Sequence, residues 1–183
     1  MIQTRQIEEA SLNAWPALNS LLFDGWILRF AKGYTKRANS VTPLYAGELG
    51  AEAKIDYCAA QYGRLGLRPI FRLAQVNNIA DLDSRLAARA YDKIDVTSVQ
   101  GRPLGQKRDL AARAAVIEVS PWMLAFHELN PGRGDMETHK AILDRVIGRL
   151  CPMVYYEGND IVSCGLGVLQ GDHRSENRWR RSR

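Results

Sequence analysis

At 183 residues and 20.5 kDa, with 46% hydrophobic residues, the chain is long enough to bury a core as one domain or two small ones, which excludes disorder throughout. No run approaches the roughly 18 consecutive apolar residues of a membrane span. The N-terminus MIQTRQIEEA also lacks the basic-then-apolar layout of a signal peptide, so the expectation is a soluble, cytoplasmic protein.

From Ile7 the spacing Ile7, Ala10, Ala14, Leu18, Leu21 and Leu22 follows a helical stripe interrupted by Pro16, and Asp24-Gly25 ends it. Residues 25–31 alternate, with Trp26, Leu28 and Phe30 on one side. The turn Lys32-Gly33-Tyr34-Thr35 leads into residues 37–44, which makes a β-hairpin. Residues 51–65 place Ile55, Cys58, Ala59, Tyr62 and Leu65 on one helical face, with Gly66 suited to the left-handed residue after a helix. A short strand over 69–73, a helix over 81–90 with Leu82, Leu86 and Ala90 inward, and a strand near 94–100 complete an α/β order.

Residues 101–110 (GRPLGQKRDL) are rich in Gly, Pro and charge and form the candidate linker between a first unit, 1–100, and a second, 111–171. In the second unit a strand is expected over 111–119 and a short helix over 121–129, ending before Asn130-Pro131-Gly132. Residues 137–150 read as a helix with Ile142, Leu143, Val146, Ile147 and Leu150 in one stripe. A second hairpin follows, 153–156 and 161–169 about the turn Glu157-Gly158-Asn159-Asp160. Helix-then-hairpin therefore occurs twice. Residues 172–183 lose all periodicity and are expected to be a basic, disordered tail, with five arginines against Glu176 from His173 onward and Trp179 as the one large apolar residue. That is a weak footprint for nucleic acid.

The three cysteines, Cys58, Cys151 and Cys164, are an odd count in apolar settings and imply neither a disulfide framework nor a metal site. Gly165-Leu166-Gly167 lies on a hairpin strand and opens no helix, so it fails the context test for dinucleotide binding. Arg133-Gly134-Asp135 is an adhesion tripeptide by letters only.

The run DGWILRFAKGYTKRANSVTPLY (residues 24–45), with EEASLNAWPAL before it and RPIFRL and LAARAYDKIDVTSVQ after it, resembles the GNAT (Gcn5-related) N-acetyltransferases. The likeness is to bacterial members built from two acetyltransferase-like halves, and it covers residues 7–171. It implies a GNAT-like α/β fold with a mixed sheet, a first half followed by an incomplete second half, and acetyl transfer from acetyl-CoA to a small-molecule or peptide amine. In that family the coenzyme's diphosphate rests on a turn of the form R/Q-x-x-G-x-G/A that opens a helix, where free N–H groups and the helix dipole favour an anion. Residues 44–54 (LYAGELGAEAK) have glycines but not that pattern, and His173-Arg174 is followed by no glycine. The resemblance thus implies a C-terminally truncated, inactive chain without an acetyl-CoA site.

The family's acceptor cleft suggests Trp122, His127 and Glu128 on the helix after the linker, Tyr155 and Tyr156 on the second hairpin, and Arg29, Arg37 and Asn39 in the most family-like stretch. Each has a plainer reading: Trp122 as a core anchor, His127 as a helix-end residue, Glu128 as a solvated carboxylate, and the Arg/Asn trio as strand and turn contacts. No catalytic residue is assigned. The competing expectation is a non-catalytic binding or interaction module, in which the open sheet edge after Leu169 pairs with another chain, including a second copy.

Overall fold

The computed structural model describes residues 4–74, 79, 81–100 and 113–170. The proposed linker, residues 101–110, and the tail, 172–183, lie outside them. Within them the chain is mixed α/β, with five α-helices and two three-stranded sheets of order β1-β2-β3 and β4-β5-β6, all neighbouring strands antiparallel.

Helix α1 (Thr4–Ala14) stops before Pro16, whose ring disfavours helical backbone at the preceding residue. The helical stripe read through Leu18, Leu21 and Leu22 is overturned, because Asn19–Phe23 is strand β1, paired with β2 (Trp26–Phe30). The reason is the turn between them. Asp24 and Gly25 both take left-handed backbone, φ 41° and 86°, the two-residue geometry that matches strand twist and commits both flanks to a hairpin. At Gly25 a side chain would also meet the Tyr45 carbonyl at 2.6 Å, so the turn is closed to other residues.

After a short 3-10 turn at Lys36–Ala38, strand β3 (Val41–Pro43) pairs with β2. The strand expected over 69–73 reduces to one parallel bridge, Val41 to Phe71. There the Val41 amide donates to the Ile70 carbonyl at 2.8 Å and the Arg72 amide to the Val41 carbonyl at 2.8 Å. The next rung would need an N–H from Pro43, which has none.

Helix α2 (Ala51–Arg64) buries Ile55, Cys58 and Tyr62 as its spacing predicts, and Gly66 closes it at φ 67°. Helix α3 (Leu82–Ala88) buries Leu82 and Leu86 but ends before Ala90, which is exposed and left-handed at φ 60°. Residues 94–100 form no strand within the described residues, and Ile94, Val96 and Val99 stay exposed. The first core is β2 and β3 against α2 and α3: Trp26, Leu28, Val41, Ile55, Cys58, Tyr62, Leu82 and Leu86.

In the second half β4 (Ala114–Val116) precedes α4 (Val119–Leu129) and α5 (Met136–Leu143). The helix expected over 137–150 ends seven residues early, by the difference of 150 and 143. Ile147 is fully exposed, and Arg149 and Leu150 already belong to β5 (Arg149–Glu157), whose register pairs Arg149 with Leu169 of β6 (Asp160–Leu169). Sheet pairing overrides the helical stripe because Leu150 packs on the core from the strand. The second hairpin stands as read, only longer.

A second core joins residues far apart in sequence. Trp15, Ala31 and Ala38 pack with Trp122, Met123, Ile142, Leu143 and Val154. Gln170 Nε2 also donates to the Ala10 carbonyl at 2.6 Å, fastening the end of β6 to α1. No described helix is long and apolar enough to cross a membrane.

Candidate functional site

Between α1, the Tyr34 turn, α4, α5 and β6 lies a cleft of about 530 Å³. Its walls are the Ile7, Ala10 and Ala14 face of α1, the turn carrying Tyr34 and Arg37, Trp122 and Phe126 of α4, His139 of α5, and the inward side of β6. Helix α5 has only eight residues, too few to persist alone. It is started by Asp135, whose side chain accepts from the Thr138 amide at 2.6 Å, and held by Ile142 and Leu143, which are 0% and 2% exposed. Burial of side chains that size is worth roughly 1.5–3 kcal/mol each, so packing rather than helix propensity fixes His139 in place.

His139 is itself 0% exposed. Four aromatic rings surround it: Phe126 at 4.9 Å between centroids, Tyr34 at 5.4 Å, Trp15 at 5.5 Å and Trp122 at 5.8 Å. Tyr34 reaches the site by lying on the 132–135 turn. At Gly134, φ 75°, a Cβ would stand 2.6 Å from its ring, so only glycine lets the ring in. The Arg133-Gly134-Asp135 tripeptide therefore serves the cleft: Arg133 at its rim, Gly134 beneath Tyr34, Asp135 capping α5.

One histidine faces another. His127 Nε2 lies 3.1 Å from His139 Nδ1. When His127 donates, His139 carries its proton on Nε2; when His139 donates, its Nε2 is left as a free lone pair. Burial, and then the neighbouring His127, push His139 down from 6.5 to about 4, so it is neutral at pH 7. Its Nε2 has no hydrogen-bond partner among the described residues, and neither has Trp122 Nε1 or the Tyr34 hydroxyl. Orphaned buried polar atoms cost about 1–3 kcal/mol each, and three beside one cleft mark a place built to receive polar atoms from outside.

The charge of the cleft is one-sided. Its described lining contains Arg37 and Arg133 and no carboxylate. Arg37 stands 5.4 Å over the Trp15 ring, and burial lowers its pKa without neutralising it.

The structure brings together some of the residues suggested by the sequence. Trp122 and Arg37 line the cleft and His127 backs it, while Trp122 serves also as a core anchor. Glu128 and Tyr155 are exposed outside the lining, and Tyr156 packs on the second core from β5. Arg29 and Asn39 lie outside the cleft lining, buried and bonded to backbone, Arg29 on β2 and Asn39 as the turn contact of its plainer reading. Asn39 Oδ1 accepts from the Ala31 and Gly33 amides at 2.7 and 2.9 Å, and its Nδ2 donates to the Thr35 carbonyl at 2.7 Å, which shapes the turn that presents Tyr34. Residues missed in the sequence are Trp15, Tyr34, Phe126 and His139. A signal existed for His139, which sits three and four positions before Ile142 and Leu143 on the same helical stripe.

The model of the family described as "Probable histone acetyltransferase Rv0428c C-terminal" matches residues 2–123, two-thirds of the chain and most of the first half plus α4 up to Met123. The chain belongs to that family. Two relatives agree with membership of the Rv0428c C-terminal family. The uncharacterized N-acetyltransferase YobR of Bacillus subtilis is 34% identical over 98 residues, covering 52% of this chain and 37% of YobR. The probable histone acetyltransferase Rv0428c of Mycobacterium tuberculosis is 28% identical over 129 residues, covering 69% of this chain and 39% of Rv0428c. The chain thus spans about two-fifths of the curated relatives it matches. No solved structure gives a significant match. Together these support a GNAT-type acetyltransferase lineage.

A buried neutral histidine gives the fold a pH signature. Between about pH 6.5 and 4 the unfolded chain takes up a proton at His139 that the folded chain refuses, so stability is complete above 6.5 and drains away as pH falls through 4. The expected loss is on the order of 2 kcal/mol, read by thermal melts at pH 7 and pH 4. His139→Phe should flatten the part of that slope lying between pH 6.5 and 4; an identical slope in the variant would rule the assignment out.

Proposed function

We propose that these residues supply the acceptor side of an N-acetyltransferase, in which an amine enters the aromatic cleft and is held there as its free base, donating a hydrogen bond to His139. The observation that carries this reading is the unpartnered Nε2 of a neutral, fully buried histidine on the cleft wall. An amine attacks a thioester only as the free base, so the site must favour loss of the ammonium proton. When His139 donates to His127, its Nε2 lone pair accepts a hydrogen bond from the neutral amine, and the charges of Arg37 and Arg133 disfavour a bound ammonium.

No R/Q-x-x-G-x-G/A turn opens a helix among the described residues, so the family's seat for acetyl-CoA is not among them. The coenzyme's diphosphate needs free amides at a helix entrance, and the glycine-bearing loop just before α2 already holds a resident anion. The Asp24 carboxylate accepts from the Glu48 and Leu49 amides at 2.9 Å each. Those bonds, the Glu48 amide first and then Lys54, hold the Asp24 carboxyl at about 2, so it is ionised throughout the physiological range. The amides at the start of α5 face Asp135 in the same way. In this reading the coenzyme is held by residues other than those described, and the 183-residue polypeptide alone transfers no acetyl group. Calorimetry of this polypeptide with acetyl-CoA should give no binding heat at micromolar concentration, and a saturating micromolar isotherm would refute the division of labour.

A further inference from the structure

An aromatic enclosure by itself favours a cation, because ring faces are negative. Here that preference is already spent, with the Arg37 guanidinium over Trp15. Arg133 adds a second positive charge at the same rim, and the described lining has no carboxylate to offset either. Neither arginine makes an ion pair among the described residues, while Arg72, Arg85 and Arg89 all do. His139 contributes no charge at neutral pH. Beneath the arginines, the Trp122 indole N–H can only donate, so its missing partner is an acceptor atom. The remaining walls are mainly apolar, from Ile7, Ala14, Phe126 and Leu166, with Ser11, Thr35 and Gln170 as neutral polar groups among them.

We propose that the cleft recognises a small organic anion: a carboxylate seated between Arg37 and Arg133, carried on an apolar body that fills the space between the rings. This deepens the acceptor reading and rests on it for one step only, that the same molecule also bears the amine. The acceptor class is then an apolar α-amino acid or a similar amino carboxylate. Two guanidinium groups on one carboxylate make charge-assisted hydrogen bonds, about twice as strong as neutral ones. The apolar walls decide what the carboxylate is attached to.

Four probes separate the parts of the claim by calorimetry on the 183-residue polypeptide: 3-phenylpropionate, 3-phenylpropanol, phenethylamine and phenylalanine. The acid should bind at least about tenfold more tightly than the alcohol, and phenethylamine should bind most weakly. Arg133→Gln, on an exposed turn, should weaken the acid about tenfold and leave the alcohol unchanged, and Arg37→Gln should do the same in a variant whose circular dichroism matches the parent. Equal binding of acid and alcohol, tighter binding of phenethylamine, no binding of any probe, or indifference to both arginine variants would each overturn the anion site. Binding of phenylpropionate with exclusion of phenylalanine leaves the anion site standing and removes the acceptor reading instead, since an amine then has no room.

Discussion

Arg29→Met should cost about 3 kcal/mol of folding stability and lower the melting temperature by roughly 6–12 °C. Arg29 is 2% exposed, on β2, and no carboxylate pairs with it among the described residues. Its guanidinium donates to the carbonyls of Arg37, at 3.0 Å, Leu12 and Trp15. Two of those are orphan carbonyls at the C-terminal end of α1, where a cation also meets the negative end of the helix dipole. Burial, and then Arg37, lower its pKa to about 10, so it remains charged at neutral pH. Methionine keeps the packing volume and strands three buried acceptors, which is the costly half of losing a hydrogen bond. Lysine, with one donor group for three directions, should fall between parent and methionine. A melting temperature within 2 °C of the parent for Arg29→Met would sink the claim, about the smallest shift a loss near 1 kcal/mol produces.

Lys54→Met should have the next largest effect, about 3 kcal/mol, read as a lower urea midpoint at unchanged slope. Lys54 is 1% exposed inside α2. Its ammonium meets the Asp24 carbonyl and carboxylate at 2.7 Å each and the Ala46 carbonyl, and lies 5.2 Å from the Trp26 ring centroid. One side chain thereby ties the β1-β2 turn to the 44–50 loop and to the helix that follows. Because Asp24 and Lys54 act on the same loop, Asp24→Asn combined with Lys54→Met should cost less than the two changes separately. Strict additivity, or an unmoved midpoint for Lys54→Met, contradicts this account.

How much of this was legible in the sequence depends on the range of the forces involved. Local signals read well: the alternation of Trp26, Leu28 and Phe30, the face of α2 with Gly66 after it, and the hairpin about Gly158-Asn159 are each settled within a few residues. Failures came where a distant partner decided. Leu18, Leu21 and Leu22 fit a helix until Asp24-Gly25 is read as a hairpin turn, and residues 146–150 fit one until β6 claims Arg149 and Leu150. The site was less legible than the fold for the same reason. Trp122, His127 and Arg37 were singled out from a resemblance, but nothing local says that Trp15, Tyr34 and His139 converge on them from three other elements. Arg29 and Asn39 looked available because a buried cation or amide bonded wholly to backbone leaves no pattern in sequence.

The cleft walls run from Ile7 on α1 to Gln170 past β6, joined by a hydrogen bond 160 positions apart. A ribosome must therefore release nearly this whole stretch before the pocket exists, and Trp15 waits through that interval without its distant packing partners. Any small molecule that enters the finished pocket clamps α1 and the end of β6 at once, so occupancy acts as a fastener between the first and last described elements.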